Sequence, residues 1–279
     1  MAPKKSLAVA AALALLLAAC GSDDGTEDAA GGEGCEEIPT KVDGVLTVAT
    51  GEPAFEPWMV DDDPTNEQGF ESAVVYAVAG ELGVDSVEWV RTGFDEAIAP
   101  GDKDYDFNIQ QFSITADRDE VVDFSSGYYQ VEQAIIGETD SPVTEAEAVG
   151  DLTEVQLGAA IGTTSLSYIE DVIQPSSPPL VFDDNAAAKS AFEAGQVDGI
   201  VFDLPTAYFI TAVEIPEASI IGVLPPTGEP EELGMLFEDE SPLVACVNDA
   251  LEALRSNGTL DSIEEKWLND DGSIPSLTN

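Results

Sequence analysis

The sequence contains no histidine and only 9 lysines and arginines, set against 56 aspartates and glutamates in 279 residues. Without histidine, serine–histidine and cysteine–histidine nucleophile pairs and histidine-ligated zinc are excluded. The shortage of cations leaves a formal charge of −47. Such a surface repels phosphate backbones and anionic headgroups, which argues against nucleic acid as a partner. Cysteine is scarce, at three residues, and no run after the N-terminus is apolar enough to span a bilayer. What is present suits a globular chain: 44% apolar and 23% charged residues, so the acidity does not imply disorder. The length allows one large domain or two of ordinary size. Acidity this strong in an exported protein suggests a saline, halophilic habitat, where screening shortens self-repulsion.

Residues 1–19 read as a lipoprotein signal peptide. Lys4 and Lys5 precede an apolar stretch at 7–19 that is too short for a membrane span, and Leu17-Ala18-Ala19-Cys20 matches a lipobox. This predicts export and an extracytoplasmic protein held on the cell membrane only by acyl chains on Cys20. Residues 20–40, rich in Gly, Asp, Glu and Ala, read as an acidic flexible tether. With Cys20 lipidated, Cys35 and Cys246 remain to form a disulfide between the tether's end and a C-terminal helix. Two free thiols are the alternative.

The body alternates strand and helix. Val45-Leu46-Thr47-Val48-Ala49 is a β-rich run, and Phe70, Val74, Val75, Val78 and Leu82 form a helical stripe closed by Gly83. Strands are predicted at 86–90 and 105–109, with a short helix at 94–99 between them. The pattern restarts with a strand at 157–160, Gly162-Thr163-Thr164 and a helix at 165–173. A strand at 180–182, a helix at 185–194, a strand at 198–202 and a helix at 204–213 follow. A strand at 234–237 precedes helices at 241–256 and 260–268. The class is α/β. If the last helices pack on the first run, the chain crosses twice, near 130–138 and 223–233, and a ligand cleft lies between two sheets.

Several stretches in order then resemble a family: Gly44-Val45-Leu46-Thr47-Val48, Gly69-Phe70-Glu71, Phe112-Ser113-Ile114-Thr115-Ala116-Asp117-Arg118, Val122-Asp123-Phe124-Ser125 and Tyr128-Tyr129. Gly162-Thr163-Thr164, the run Val197 to Asp203, Gly258-Thr259-Leu260 and Glu265-Lys266-Trp267 continue it. Together they resemble the family 3 extracellular solute-binding proteins that deliver amino acids to ABC importers. The resemblance implies a two-lobed, periplasmic-binding-protein-like type II fold, each lobe a mostly parallel sheet flanked by helices. Lobe 1 is expected from 41–132 plus 231–279, and lobe 2 from 133–230 including the hinge strands.

The resemblance also assigns roles. Arg118 is expected to grip a ligand α-carboxylate, which its planar, permanently charged fork suits; Ser113 adds a hydroxyl. Thr163 and Thr164 bring a helix N-terminus from the other lobe, though such a turn also serves as a plain N-cap. Asp203 matches the acid that holds the α-ammonium. Phe55 and Phe94 correspond to aromatic walls, with Trp58 close by in the loop of Phe55. Glu52 matches a position that meets cationic side chains. Gln110 and Gln111 replace small residues of the family pattern, so that Gln111 narrows the pocket or reads a polar side chain. With no second cation among these positions, a basic or polar uncharged amino acid is favoured over an acidic one. Asp61-Asp62-Asp63-Pro64 lacks the glycine and glutamate of a calcium loop. No cofactor, no metal and no catalysis are expected. The partners are an amino-acid ligand and an ABC permease, and the protein is expected to be a monomer. The alternatives are the sensing domain of a receptor and a dehydratase on the same scaffold.

Overall fold

A computed structural model describes Cys35, residues 37–268 and residues 274–279. The expected signal peptide, Cys20 and the tether up to residue 34 lie outside these residues. The chain begins with β1 (Val45–Thr50), α1 (Phe70–Leu82), β2 (Ser86–Arg91), α2 (Phe94–Ile98) and β3 (Phe107–Asn108). Next come α3 (Ala116–Asp119), β4 (Asp123–Phe124), β5 (Tyr129–Val131) and β6 (Gln133–Glu138). The middle holds β7 (Leu157–Ala160), α4 (Thr164–Tyr168), β8 (Leu180–Phe182), α5 (Asn185–Glu193), β9 (Gly199–Asp203), α6 (Leu204–Phe209) and β10 (Ala218–Val223). The chain returns through β11 (Glu231–Leu233), β12 (Leu236–Phe237), α7 (Leu243–Ser256) and α8 (Thr259–Trp267).

Two five-stranded sheets form two lobes, in the orders β2-β1-β3-β12-β4 and β10-β6-β9-β7-β8. The expectation of mostly parallel sheets holds for part of each. β1 pairs in parallel with β2 and β3, and β7 with β8 and β9. The pairings of β12 and of β6 are antiparallel, because these strands enter their sheets from the hinge and run against the crossover strands. β5 and β11 pair with each other as a separate two-stranded ribbon, Glu231 opposite Val131. Both expected lobe crossings pass through or beside this ribbon.

Sequence pattern explains the cores. The predicted stripe of α1 packs Phe70, Val74, Val75 and Val78 onto Leu46, Val48 and Phe107 of the first sheet, with α7 and Leu260 of α8 on the same side. Gly83 caps α1 at φ 69°, a left-handed conformation that costs glycine little. The inner strands β6, β7 and β9 of the second sheet are buried on both faces, so they read as near-continuous apolar runs. Ala134 and Ile136 face α5 and α6, while Ile135 faces the opposite cluster with Leu157 and Ile169.

Two boundaries differ from expectation. Ile38, placed in the tether, packs against the first core, and the disulfide Cys35–Cys246 fixes the preceding segment to α7 with 5.6 Å between Cα atoms. Residues 274–279, placed in lobe 1, lie instead on lobe 2. Val223 N–H donates to the Pro275 carbonyl and Leu277 N–H to Val223, both at 2.9 Å, and Leu277 is buried among second-lobe residues. The physical reason is the edge of β10, whose free backbone groups and small Gly222 accept the terminal segment; a methyl at Gly222 would meet Leu277 at 2.9 Å.

Candidate functional site

A cleft of about 190 Å³ lies between the lobes. Glu52, Phe55, Phe94, Gln110, Gln111, Ser113 and Arg118 line it from the first lobe, and Thr163, Thr164, Asp183, Asp184 and Asp203 from the second. Nine of the ten expected ligand-site residues are therefore brought together. Trp58 is the exception. It is fully buried and packs edge-on against Phe70 and Tyr129. Its indole N–H donates to Thr206 Oγ1 of α6 at 2.9 Å, so it is an interlobe contact and not a cavity wall.

Arg118 is the one cation lining the cleft among the described residues. Thr115 caps α3 by accepting from the Arg118 N–H, which sets the side chain inward. Arg118 is 8% exposed, and its guanidinium carbon sits 5.4 Å from the Phe94 ring centroid, in cation–π range. Phe94 is itself stacked on Phe112 at 4.6 Å. Nη1 donates to the Ser113 carbonyl at 2.6 Å and Nη2 to the Gly162 carbonyl across the cleft at 2.9 Å. None of the four ion pairs among the described residues includes Arg118. Of five guanidinium N–H groups, three remain for an anion. Burial lowers its pKa, and the charges of Glu231, Asp203 and Asp95 oppose that shift.

The Gly162-Thr163-Thr164 turn has two functions. Gly162 adopts φ +71°, a left-handed conformation that favours glycine, and a side chain there would also push the Asp95 carboxylate aside. Thr163 is an N-cap: its hydroxyl accepts from Leu166 N–H at 3.1 Å and donates to the Ala160 carbonyl at 2.7 Å. That hydroxyl is committed to the fold, leaving the turn's backbone to face the cleft. Thr164 and Ser113 instead both donate to Glu231 Oε1, at 2.7 and 2.5 Å.

Asp203 closes β9 and precedes Pro205 of α6, yet its side chain makes no capping bond. Its Oδ1 accepts from Gln133 Nε2 at 2.7 Å. Burial pushes its pKa up to about 7, reinforced by the charge of Glu231 and then Glu71, while the Gln133 hydrogen bond and Arg118 pull it down. A carboxylate destabilised this way gains most from a cationic partner.

Gln111 lines the cleft but has another primary task. It stands at φ +53°, and both its backbone N–H and its side-chain amide donate to Glu71. Tyr128 Oη donates to the same carboxylate at 2.5 Å. Glu71 is fully buried, and burial raises its pKa to about 7 against these three donors. The neighbour Gln110 has a buried Oε1 that takes no hydrogen bond among the described residues. Glu52 lies exposed at the rim. Arg91 steadies its loop by donating to the Gly51 carbonyl and, at 2.8 Å, to Asp62 Oδ1. Asp62 is thus a loop anchor, and among the described residues no acidic cluster has metal-site geometry.

Sequence reasoning missed Glu71, Gln133 and Glu231 as site residues, along with Thr92 and Asp183–Asn185 on the cleft wall. Gly69-Phe70-Glu71 had been noted only as part of the resemblance. Nothing marked Glu231 among so many acids.

The cleft agrees with comparisons to known proteins. The family model for bacterial extracellular solute-binding proteins, family 3, matches residues 46–270. The L-cystine-binding protein TcyA of Bacillus subtilis is 27% identical over 263 residues, 92% of this chain and 94% of that protein. The glutamine-binding protein GlnH of the same organism is 29% identical over 168 residues, 60% of this chain and 59% of its own length. A solved ancestral arginine-binding protein bound to glutamine superposes with a TM-score of 0.70 at 29% identity, covering 82% of this chain and all of that one. The chain belongs to the bacterial extracellular solute-binding proteins of family 3.

Proposed function

We propose that the protein is the substrate-binding lipoprotein of an amino-acid ABC importer. It captures a basic or polar uncharged amino acid between its lobes and delivers it to the permease. One observation carries this reading: a buried arginine, outside every ion pair among the described residues of a chain with 56 acids, faces an interlobe cleft. The ligand α-carboxylate takes the free N–H groups of Arg118, and its α-ammonium meets Asp203. Phe55 and Phe94 flank the ligand's side chain. Glu52 and Asp183 offer acceptors to its distal end, which favours a donor-bearing or cationic side chain. The arginine-, glutamine- and cystine-binding relatives support the ligand class.

Because its contacts come from both lobes, the ligand binds the closed form more tightly and shifts the equilibrium toward it. The closed surface then serves as the signal to the permease. Acyl chains on Cys20 would hold the monomer at the membrane through the acidic segment.

A thermal-shift screen over the twenty amino acids tests the ligand class, with the basic ones expected to raise the melting temperature most. Arg118→Ala is expected to weaken that binding at least about 30-fold by calorimetry, the cost of removing one partner of a buried charge pair. Unchanged affinity in this variant would exclude the assignment.

A further inference from the structure

The cleft is organised from behind by a residue that does not line it. Glu231 begins β11, the return strand of the hinge ribbon. The segment carrying Ser113 runs beside this strand: Ile114 N–H donates to the Glu232 carbonyl at 2.8 Å, and Gly234 N–H to the Phe112 carbonyl at 2.9 Å. This backbone register sets the Ser113 hydroxyl against the Glu231 carboxylate. Thr164 approaches the same oxygen from the other lobe, and the two hydroxyls are 3.3 Å apart. The second carboxylate oxygen faces Gln133 Nε2 at 3.5 Å. Gln133 is nearly buried and connects onward. Its Nε2 donates to Asp203 at 2.7 Å, and its Oε1 accepts from Ser165 at 2.5 Å. First lobe, hinge and second lobe thus meet at one acidic side chain.

Resting on the function proposed above, we propose that Glu231 is a positioning residue for the amino-acid site, fixing the hydroxyls of Ser113 and Thr164 and, through Gln133, the carboxylate of Asp203. Two consequences follow from the chemistry. Both hydroxyl hydrogens point at Glu231, so toward the ligand these oxygens present lone pairs. They act as acceptors near the ammonium, and the α-carboxylate depends on Arg118 and backbone N–H groups alone. This reverses the donor role that the family resemblance implies for Ser113. Secondly, a fixed negative charge stands beside Asp203 and governs the pH at which Asp203 ionises. The charged groups facing Asp203 are Glu231 from β11, Glu71 from α1 and Arg118 from α3, with Gln133 from β6 as its hydrogen-bond donor. Neither acid in that set lines the cleft, and Glu231 has the larger influence on Asp203.

The test measures L-arginine and L-glutamine binding by calorimetry from pH 5.5 to 8.5, on wild type, Glu231→Gln and Glu231→Ala. In wild type, affinity should rise with pH through about 7 as Asp203 loses its proton. Glu231→Gln keeps an acceptor for the hydroxyls but removes the charge. Its pH midpoint should move down, so that the advantage of pH 8 over pH 6 shrinks about threefold or more. Glu231→Ala releases both hydroxyls and should weaken binding about tenfold at pH 8. A Glu231→Gln profile superimposable on wild type would overturn the proposal, and so would wild-type affinity in Glu231→Ala at pH 8. If Glu231→Ala fails to fold, the Glu231→Gln profile decides. Should wild type itself bind no amino acid, the transport reading falls, an outcome distinct from wild-type binding with indifferent variants.

Discussion

Glu71 shows how a single side chain can link the core to the cleft. It is a fully buried acid on α1 whose three donors hold Gln111 in a left-handed conformation, two residues before Ser113. Its pKa is raised to about 7 from an ordinary 4.5. The sign follows from linkage. Between these values the folded state holds a proton that the unfolded state has lost, so stability is full below the unfolded pKa and falls as pH rises through the folded one. The loss amounts to about 3 kcal/mol. Glu71→Gln is therefore expected to flatten the fall in melting temperature between pH 5 and 8, read by calorimetric scans. An unchanged slope would place the titrating group elsewhere. Legibility at this scale depended on scarcity. Arg118 stood out because cations are few, and Asp203 because it ends a strand at a recognisable motif. Glu71 and Glu231 are acids among 56 acids, and only packing distinguishes a buried carboxylate from a solvated one. Trp58 was misassigned for the same reason: an indole near a cleft and an indole beneath it have one sequence signature.

Among the elements, long amphipathic or fully apolar segments were readable, and α1, β7, β8 and α7 fall within a residue or two of expectation. The missing strands are β4, β5, β6, β10 and β11, and β3 and β12 are shorter than predicted. Two- and three-residue strands carry too few alternations to declare a period, while six-residue β6 and β10 pair antiparallel, outside the alternating strand–helix pattern. Their pairing is decided by the hinge, a tertiary feature. α4 and α6 each pass into a π-helical turn, at Ile169–Ile173 and Ile210–Glu214, that no local pattern announced. α6 also bears the Trp58–Thr206 hydrogen bond, which ties the lobes beside Asp203. Opening the cleft would strain or break this bond, so it favours closure. Thr206→Val removes the acceptor at almost constant volume. Ligand affinity is expected to fall about 2- to 10-fold, matching a net hydrogen bond of about 0.5–1.5 kcal/mol. Equal affinity would show that the bond persists in both forms.

At the largest scale, the described residues form two cored lobes with one covalent clamp among them. The Cys35–Cys246 bridge spans 211 residues and anchors the start of the folded body to α7, within the first lobe's core. Replacing both cysteines by serine should cost about 2–4 kcal/mol, chiefly by freeing the unfolded chain. Because the bridge lies within one lobe, amino-acid affinity at 25 °C should stay near wild type while the denaturation midpoint falls. Loss of affinity without loss of stability would contradict that division.

Residues 274–279 seal one edge of the second lobe. Leu268 packs on the first core, whereas Ile274 packs on the second and Leu277 lies against β10. Residues 274–279 therefore belong with the second lobe, where they cover the outer edge of β10. A bare outer strand would offer its row of backbone groups to any passing chain, and here that row is covered from within the same protein. A purification handle fused to Asn279 would hang from this cover, so it would tug on the second lobe's edge and not on an idle tail.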